Sequence, residues 1–249
     1  MGKLDGKVAL VTGSGRNIGR ATVLKLAAEG ASVVVNSRTN QTEADAVARE
    51  AQALGVKALS VLADVSKQEQ VDRMVARALA EFGRIDILIN NAAIRPHKPF
   101  TEVTVEDWEA VRGVVLDGAF YCTRAVIASM VAHTYGRILF FTGEGAFTGG
   151  SGRAHVSAAK MGLVGMARAL ASEFAPHNIR VNVVSPGSID TSRANPEWYQ
   201  GRVPNARGIP LGRQGSVDEI AATCLFLVSD DGGFITGQTI HVNGGAVYH

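Results

Sequence analysis

Short β-branched runs alternate with stretches of helical periodicity along almost the whole chain. The runs occupy residues 8–11, 32–35, 58–62, 85–89, 138–141 and 179–184. Strands that are apolar almost without interruption are buried on both faces, and strands separated by helices must be joined by crossovers, which are right-handed. The pattern therefore predicts a doubly wound parallel α/β sheet with helices on both faces. A length of 249 residues suits one such domain, residues 1–249, and leaves little chain for a second core.

Local signals support this reading. Thr104-x-x-Asp107 and Ser216-x-x-Glu219 have the form of helix N-terminal caps, and Pro176 should stop the helix that carries Val156, Lys160, Leu163, Ala167, Leu170 and Phe174. Residues 188–215, with prolines at 196, 204 and 210, lack clear periodicity. A loop that long is usually functional, so this segment is expected to be a substrate lid.

Composition excludes several classes. With 25 basic against 23 acidic side chains there is no strong field to steer the chain to nucleic acid or a membrane surface. Cys122 and Cys224 belong to no CxxC or metal spacing and read as small buried groups of a reduced compartment. The histidines show no ligand spacing, so no metal is expected. The start lacks the apolar core of a signal peptide and no apolar run approaches ~18 residues, which makes a cytoplasmic location the expectation.

The first chemistry lies after the first strand, in Thr12-Gly13-Ser14-Gly15-Arg16-Asn17-Ile18-Gly19. Glycines between a buried strand and a helix let backbone N–H groups and the helix N-terminus approach a pyrophosphate. A Rossmann-like sheet of about seven strands holding a dinucleotide is thus expected. Where an acidic residue at the end of the second strand would take the adenine ribose hydroxyls, this chain has Asn36-Ser37-Arg38. Arg38 with Arg16 suits a 2′-phosphate, so NADP(H) is expected over NAD(H).

These residues resemble the short-chain dehydrogenase/reductase family, over Lys7 to about Val242. The turn from Thr12 to Gly19 is similar to the family's TGxxxGxG, with Asn17 at the middle glycine. Asp64-Val65 resembles the pair that holds the adenine, Asn90-Asn91-Ala92-Ala93 resembles NNAG, and Pro186-Gly187-x-Ile189-x-Thr191 resembles the segment around the nicotinamide. The ending from Ile235 to Gly245 is also typical.

The resemblance breaks at the catalytic positions. The family places a Tyr one helical turn before a Lys, a Ser on the preceding strand and an Asn on the helix before that. Alignment on the surrounding residues keeps Lys160 and puts Val156, Gly143 and Val115 at the other three positions. The family's Tyr exchanges the proton with the carbonyl or alcohol, its Lys lowers that pKa and holds the nicotinamide ribose, and its Ser orients the substrate oxygen. A positioned acid or base is worth ~10²–10⁴ in rate, so a substitute is required for fast turnover. The candidates are Glu144, His155 and Lys160, with Tyr199 of the expected lid behind them.

Three readings remain open at this level. One is an NADP(H)-dependent oxidoreductase for a carbonyl or alcohol with a non-standard proton donor. Another is a lyase, isomerase or hydrolase on the same fold, without net hydride transfer. The third is a non-catalytic dinucleotide-binding protein. The helix expected over 104–133 and the one through Lys160 are rich in small residues, and the resemblance implies that they form the interface of a homodimer or homotetramer.

Overall fold

The computed structural model describes residues 2–191 and 208–248. Seven parallel strands form one sheet in the order β3-β2-β1-β4-β5-β6-β7. They are β1 Val8–Val11, β2 Ser32–Ser37, β3 Ala58–Leu62, β4 Ile87–Asn90, β5 Gly136–Phe141, β6 Ile179–Pro186 and β7 Thr239–Val242. The helices are α1 Asn17–Ala28, α2 Gln41–Ala53, α3 Gln68–Phe82, α4 Val105–Arg112, α5 Gly118–Ala132, α6 Glu144–Thr148, α7 Ala154–Phe174 and α8 Val217–Val228. This is the Rossmann-like doubly wound arrangement expected from the alternation of runs.

The pleat divides each strand between two cores. Leu10, Val34, Leu88, Ile138, Phe140, Val181 and Val183 face α3, α4, α5 and α7. Ala9, Val11, Val33, Val35, Ile87, Ile89, Leu139 and Val184 face α1, α2 and α8. Cys122 and Cys224 are buried, one in each core, and are not disulfide-bonded. Burial pushes both thiols up to about 12, which makes them inert packing groups.

Both expected caps are present as reciprocal capping boxes, Thr104 with Asp107 and Ser216 with Glu219. Helix α7 ends at Phe174, and Pro176 lies in the short 3-10 turn Ala175–His177 that follows. The single helix expected over 104–133 is instead interrupted by a π-helical segment, Gly113–Asp117, between α4 and α5. The helical run Val105–Ala132 has the length and mean hydropathy of a membrane-crossing helix, but Arg112, Asp117 and Arg124 interrupt it, so it is not an unbroken apolar run of ~18 residues. Its Val111, Val115, Ala119, Cys122, Val126 and Met130 are spent on the core.

Of the segment expected to form a lid, residues 192–207 lie outside the described residues, and Tyr199 with them. Its two ends are tied together: Ile189 and Gly215 form a parallel bridge, with Asp190 N–H donating to the Gly215 carbonyl at 2.9 Å.

Candidate active site

The strand order reverses between β1 and β4, and crevices in open α/β sheets form at the carboxyl ends of the strands at such a point. A cleft of about 840 Å³ opens there. One end is walled by the β1–α1 turn and the end of β2; the other by Lys160, the end of β5 and the Pro186–Thr191 segment.

The glycine turn is held by a polar scaffold. Ser14 is fully buried; its Oγ donates to the Val11 carbonyl at 2.7 Å and accepts from the Asn36 amide at 3.0 Å. Asn36, also buried, accepts from Gly13 N–H through Oδ1 at 3.1 Å and donates to the Ala63 carbonyl through Nδ2 at 3.1 Å. Asn91 closes the turn from the other side, donating through Nδ2 to the carbonyls of Thr12 at 2.9 Å and Gly13 at 3.0 Å. Thr12 Oγ1 in return accepts from the Asn91 and Ala92 amides at 3.0 Å.

Two glycines are required by this geometry. A Cβ at Gly19 would lie 2.6 Å from the Gly13 carbonyl oxygen and 2.7 Å from Ser14 Cα. Gly13 itself adopts φ +60° against Ala92. Asn17, where the family pattern has glycine, carries φ +50°, a region that asparagine enters more readily than most residues. The turn thus presents its amides and the start of α1 to the cleft, as a bound pyrophosphate requires.

The cleft gathers Gly13, Gly15, Arg16, Asn17, Ile18, Gly19, Ser37, Arg38, Asp64, Val65, Asn91, Ala92, Lys160, Pro186, Gly187, Ile189 and Thr191 from the expected coenzyme set. Ser14 and Asn90 are not on its wall. Ser14 braces the turn from behind, and Asn90 is buried with its amide 3.5 Å from the Thr123 hydroxyl. Arg16 and Arg38 share the adenosine end with Glu43, whose Oε2 would be 3.4 Å from a Cβ at Gly15. Asp64 is fixed by accepting from Ser66 N–H at 2.9 Å and Ser66 Oγ at 2.7 Å.

At the opposite end Lys160 reaches up from α7, and its Nζ donates to the Phe141 carbonyl at 2.5 Å. Burial brings its pKa down to about 7, helped by the charge of Arg95. Glu144 begins α6, directly after Gly143, and both line the cleft. Its Oε2 is buried with no hydrogen-bond partner among the described residues, and desolvation raises its pKa.

Of the expected catalytic set, His155 stands apart from the cleft. Helix α7 begins at Ala154, so His155 sits in its first turn; the ring is buried, does not line the cleft, and neither nitrogen has a partner among the described residues. Burial lowers its pKa against the pull of Asp107, with Arg153, Lys98 and His97 acting in the same direction as burial. Val156, one residue on, is buried in the core beneath α7, as is Val115 in the π-helical segment.

Two participants had weak signals in the sequence. Asn36 is a lone amide directly after the apolar run Val33, Val34 and Val35 of β2, a sign of a buried polar role. Arg95 follows the Asn90–Ala93 turn and lines the cleft, with its carbonyl accepting from Arg153 Nη1 at 2.5 Å.

A reversed parallel sheet with a glycine-walled cleft at the switch point defines a Rossmann-type α/β protein. A family model described as Enoyl-(Acyl carrier protein) reductase matches residues 13–247. A 3-oxoacyl-[acyl-carrier-protein] reductase of Synechocystis sp. is 42% identical over 99% of both chains. A protein of Thauera aromatica named (2S)-[(R)-hydroxy(phenyl)methyl]succinyl-CoA dehydrogenase subunit BbsD is 39% identical over 97% of both. Among solved structures, a Sinorhizobium meliloti 1021 protein described as a short-chain alcohol dehydrogenase superposes with a TM-score of 0.90 at 33% identity, covering 98% of this chain and 97% of that one. The chain belongs to the short-chain dehydrogenase/reductase family of oxidoreductases.

Proposed function

We propose that this chain is a single-domain NADP(H)-dependent oxidoreductase of a carbonyl or alcohol substrate in which Glu144 or Lys160 moves the proton. The observation that carries this reading is the continuity of the cleft: Arg16 and Arg38 at one end, the amides of the β1–α1 turn in the middle, and Lys160 with Glu144 at the other. Asn36 and Ser37 end β2 and Arg38 follows it, with no carboxylate among them to repel a 2′-phosphate.

The coenzyme fits these residues. The space that a Cβ at Gly19 would fill is needed for the turn to close, and the turn's amides then face the cleft. Arg16 and Arg38 would hold the 2′-phosphate, Asp64 and Val65 the adenine, and Pro186, Gly187, Ile189 and Thr191 the nicotinamide. When bound, NADPH supplies the hydride.

The chain's own contribution is the proton. Val156 offers no hydroxyl one turn before Lys160, and Gly143 offers none at the end of β5. Lys160 with a pKa of about 7 is part ammonium at neutral pH, and Glu144 with a raised pKa keeps more of its acid form than an exposed carboxyl. Either places a donor in the cleft. His155 is left out because it does not face that space.

Titration calorimetry with NADPH and NADH, followed by NADPH oxidation against a panel of aldehydes and ketones, tests the reading. Tighter NADPH binding and turnover are expected. Conversion of substrate without change in nicotinamide absorbance would favour lyase, isomerase or hydrolase chemistry, and coenzyme binding without any conversion a non-catalytic role. We further infer a homodimer or homotetramer through α5 and α7, on which Phe120 and Met161 are exposed. A monomeric mass by light scattering at micromolar concentration would reject the assembly.

A further inference from the structure

We infer that the amino ends of β5 and β6 form a second binding site, for a doubly charged oxyanion of the phosphate class, built on Arg137 and Arg180. It lies at the end of the sheet opposite the coenzyme cleft and does not depend on the reading of that cleft.

Arg137 and Arg180 are each the second residue of their strand, and the two are paired in parallel register. In-register neighbours on adjacent strands point to the same face, about 4.8 Å apart. Here that face is the one shared with Leu139 and Val184, which α8 covers. The chain leaving α8 brings Ser229 and Asp230 beside the pair.

Both arginines are more than nine-tenths buried, at 4% and 7% exposure. Their hydrogen bonds use only part of each guanidinium. Arg137 Nη1 donates to the Gly136 and Asn178 carbonyls at 2.8 Å, and Arg180 Nη2 donates to the Ser229 carbonyl at 2.9 Å. Arg137 Nε, with Nε and Nη1 of Arg180, is buried without a hydrogen-bond partner among the described residues. A buried donor without an acceptor carries its full desolvation cost, and an ionised one carries more.

The charges leave the same gap. Burial opposes both guanidinium charges, and for Arg180 the charge of Arg137 adds to the penalty. A guanidinium nevertheless stays protonated at any working pH. Lys7 brings a third cation to the spot: its Nζ lies 3.7 Å from the centre of the Tyr135 ring, which Arg137 also stacks on at 4.0 Å. The carboxylates that bear on Arg137 are Asp230 and Asp86. Asp86 is committed to Arg84 and to the Val8 amide. Asp230 Oδ1 is 3.9 Å from Arg137 Nη2, beyond hydrogen-bond reach, on a side chain that is 93% exposed. An exposed carboxylate at that distance does not neutralise a buried pair, and it is free to swing aside for another anion.

A carboxylate ligand would bring one charge and two oxygens. A phosphate dianion brings two charges, one for each guanidinium, and enough oxygens for the unpartnered N–H groups of both.

Calorimetry with inorganic phosphate at about pH 8 and constant ionic strength, on the NADP⁺-saturated protein, tests the site, with acetate as the singly charged comparison. One phosphate should bind per chain, about tenfold more tightly than acetate, and Asp230→Asn should tighten it about three- to tenfold by removing the competing carboxylate. Arg180→Leu should abolish binding; Lys7→Met, a change at the rim that leaves the buried pair in place, should weaken it severalfold. No binding, an affinity no better than that of acetate, or an affinity that Asp230→Asn leaves unchanged or weakens would overturn the inference. The Asp230→Asn comparison is repeated without NADP⁺, so a chain that failed to take the coenzyme would still report on this site, while phosphate lodged in the coenzyme cleft would be displaced by NADP⁺ and indifferent to Asp230.

Discussion

Val156 stands one helical turn ahead of Lys160 on the buried side of α7, and the lysine Nζ is hydrogen-bonded to the Phe141 carbonyl rather than to a phenol. The lysine therefore keeps its place in the cleft without a tyrosine to act on. Its consequences can be separated by stability and by binding.

Burial lowers the Lys160 pKa to about 7 from the ordinary lysine value, so the unfolded chain binds more protons than the folded one between about pH 7 and 10. Stability of the coenzyme-free protein should therefore rise with pH through that window and be lowest below it. Lys160→Met should flatten the rise and be no less stable at pH 7, yet bind NADPH at least about tenfold more weakly. Thermal unfolding at pH 7 and 9.5 for both proteins checks the first point, and a variant curve parallel to the parent's would refute it.

The pH–rate profile distinguishes the two proton donors. Carbonyl reduction through Lys160 should fall as pH rises past about 7, whereas reduction through Glu144 should follow a carboxyl that desolvation raises above its ordinary value. Glu144→Gln removes the acid while keeping its size. If Glu144 is the donor, kcat drops by about 10²-fold or more with the falling limb lost; if Lys160 is, kcat changes little and the limb near 7 persists. A large loss with an unchanged limb would fit neither assignment.

Coenzyme selection should reside in Arg38 and Arg16. Replacing Arg38 by Leu removes a charge-assisted contact, and NADPH affinity should fall by roughly 10–100-fold while NADH affinity stays within a factor of about two. Equal losses for both coenzymes would show that the arginine does not read the 2′-phosphate. Glu43 lies at the same end, so Glu43→Gln should improve NADPH binding modestly by removing a like-sign charge.

The glycine turn offers a more local check. A methyl at Gly19 would be driven against the Gly13 carbonyl and Ser14 Cα, both backbone atoms that cannot swing aside. Gly19→Ala should cost about 1–3 kcal/mol of stability and weaken coenzyme binding further, because the turn must open where the pyrophosphate would sit. Denaturant unfolding with and without NADPH would reveal a tolerated methyl as an unchanged midpoint in both.

How much of this was legible in the sequence follows from where burial is complete. Strand β1 is buried at every residue, and its apolar run announces it. Strand β7 is only half-buried along its length at the edge of the sheet; Thr239 and His241 interrupt its pattern, and it was not among the runs read as strands. The coenzyme cleft was legible because a phosphate cradle demands glycines at fixed spacing beside a strand. The π-helical segment at Gly113–Asp117 left no such trace, since one extra residue per turn follows from packing around Val115 rather than from residue type. His155 stands off the cleft for a related reason: neighbouring positions on a helix diverge by about 100°, so its place beside position 156 does not give it that position's direction. Arg95 was missed because one arginine in a loop has no periodicity to mark it.

The strongest test of the catalytic argument puts the absent hydroxyls back. Gly143 has φ 169°, an extended conformation open to any residue, and a Cβ there would meet nothing nearer than the Pro186 carbonyl oxygen at 3.8 Å, so Gly143→Ser is accommodated. Val156→Tyr is harder, because Val156 is packed in the core and a larger ring costs about 1–3 kcal/mol unless it turns outward into the cleft. If it does, the phenol lies one turn from Lys160, whose positive form would lower the phenol pKa. The double variant should then reduce small neutral ketones about 10²-fold faster than the parent, with the gain absent in either single variant. A folded, NADPH-binding double variant with no gain would mean that the cleft positions its substrate for a donor other than position 156.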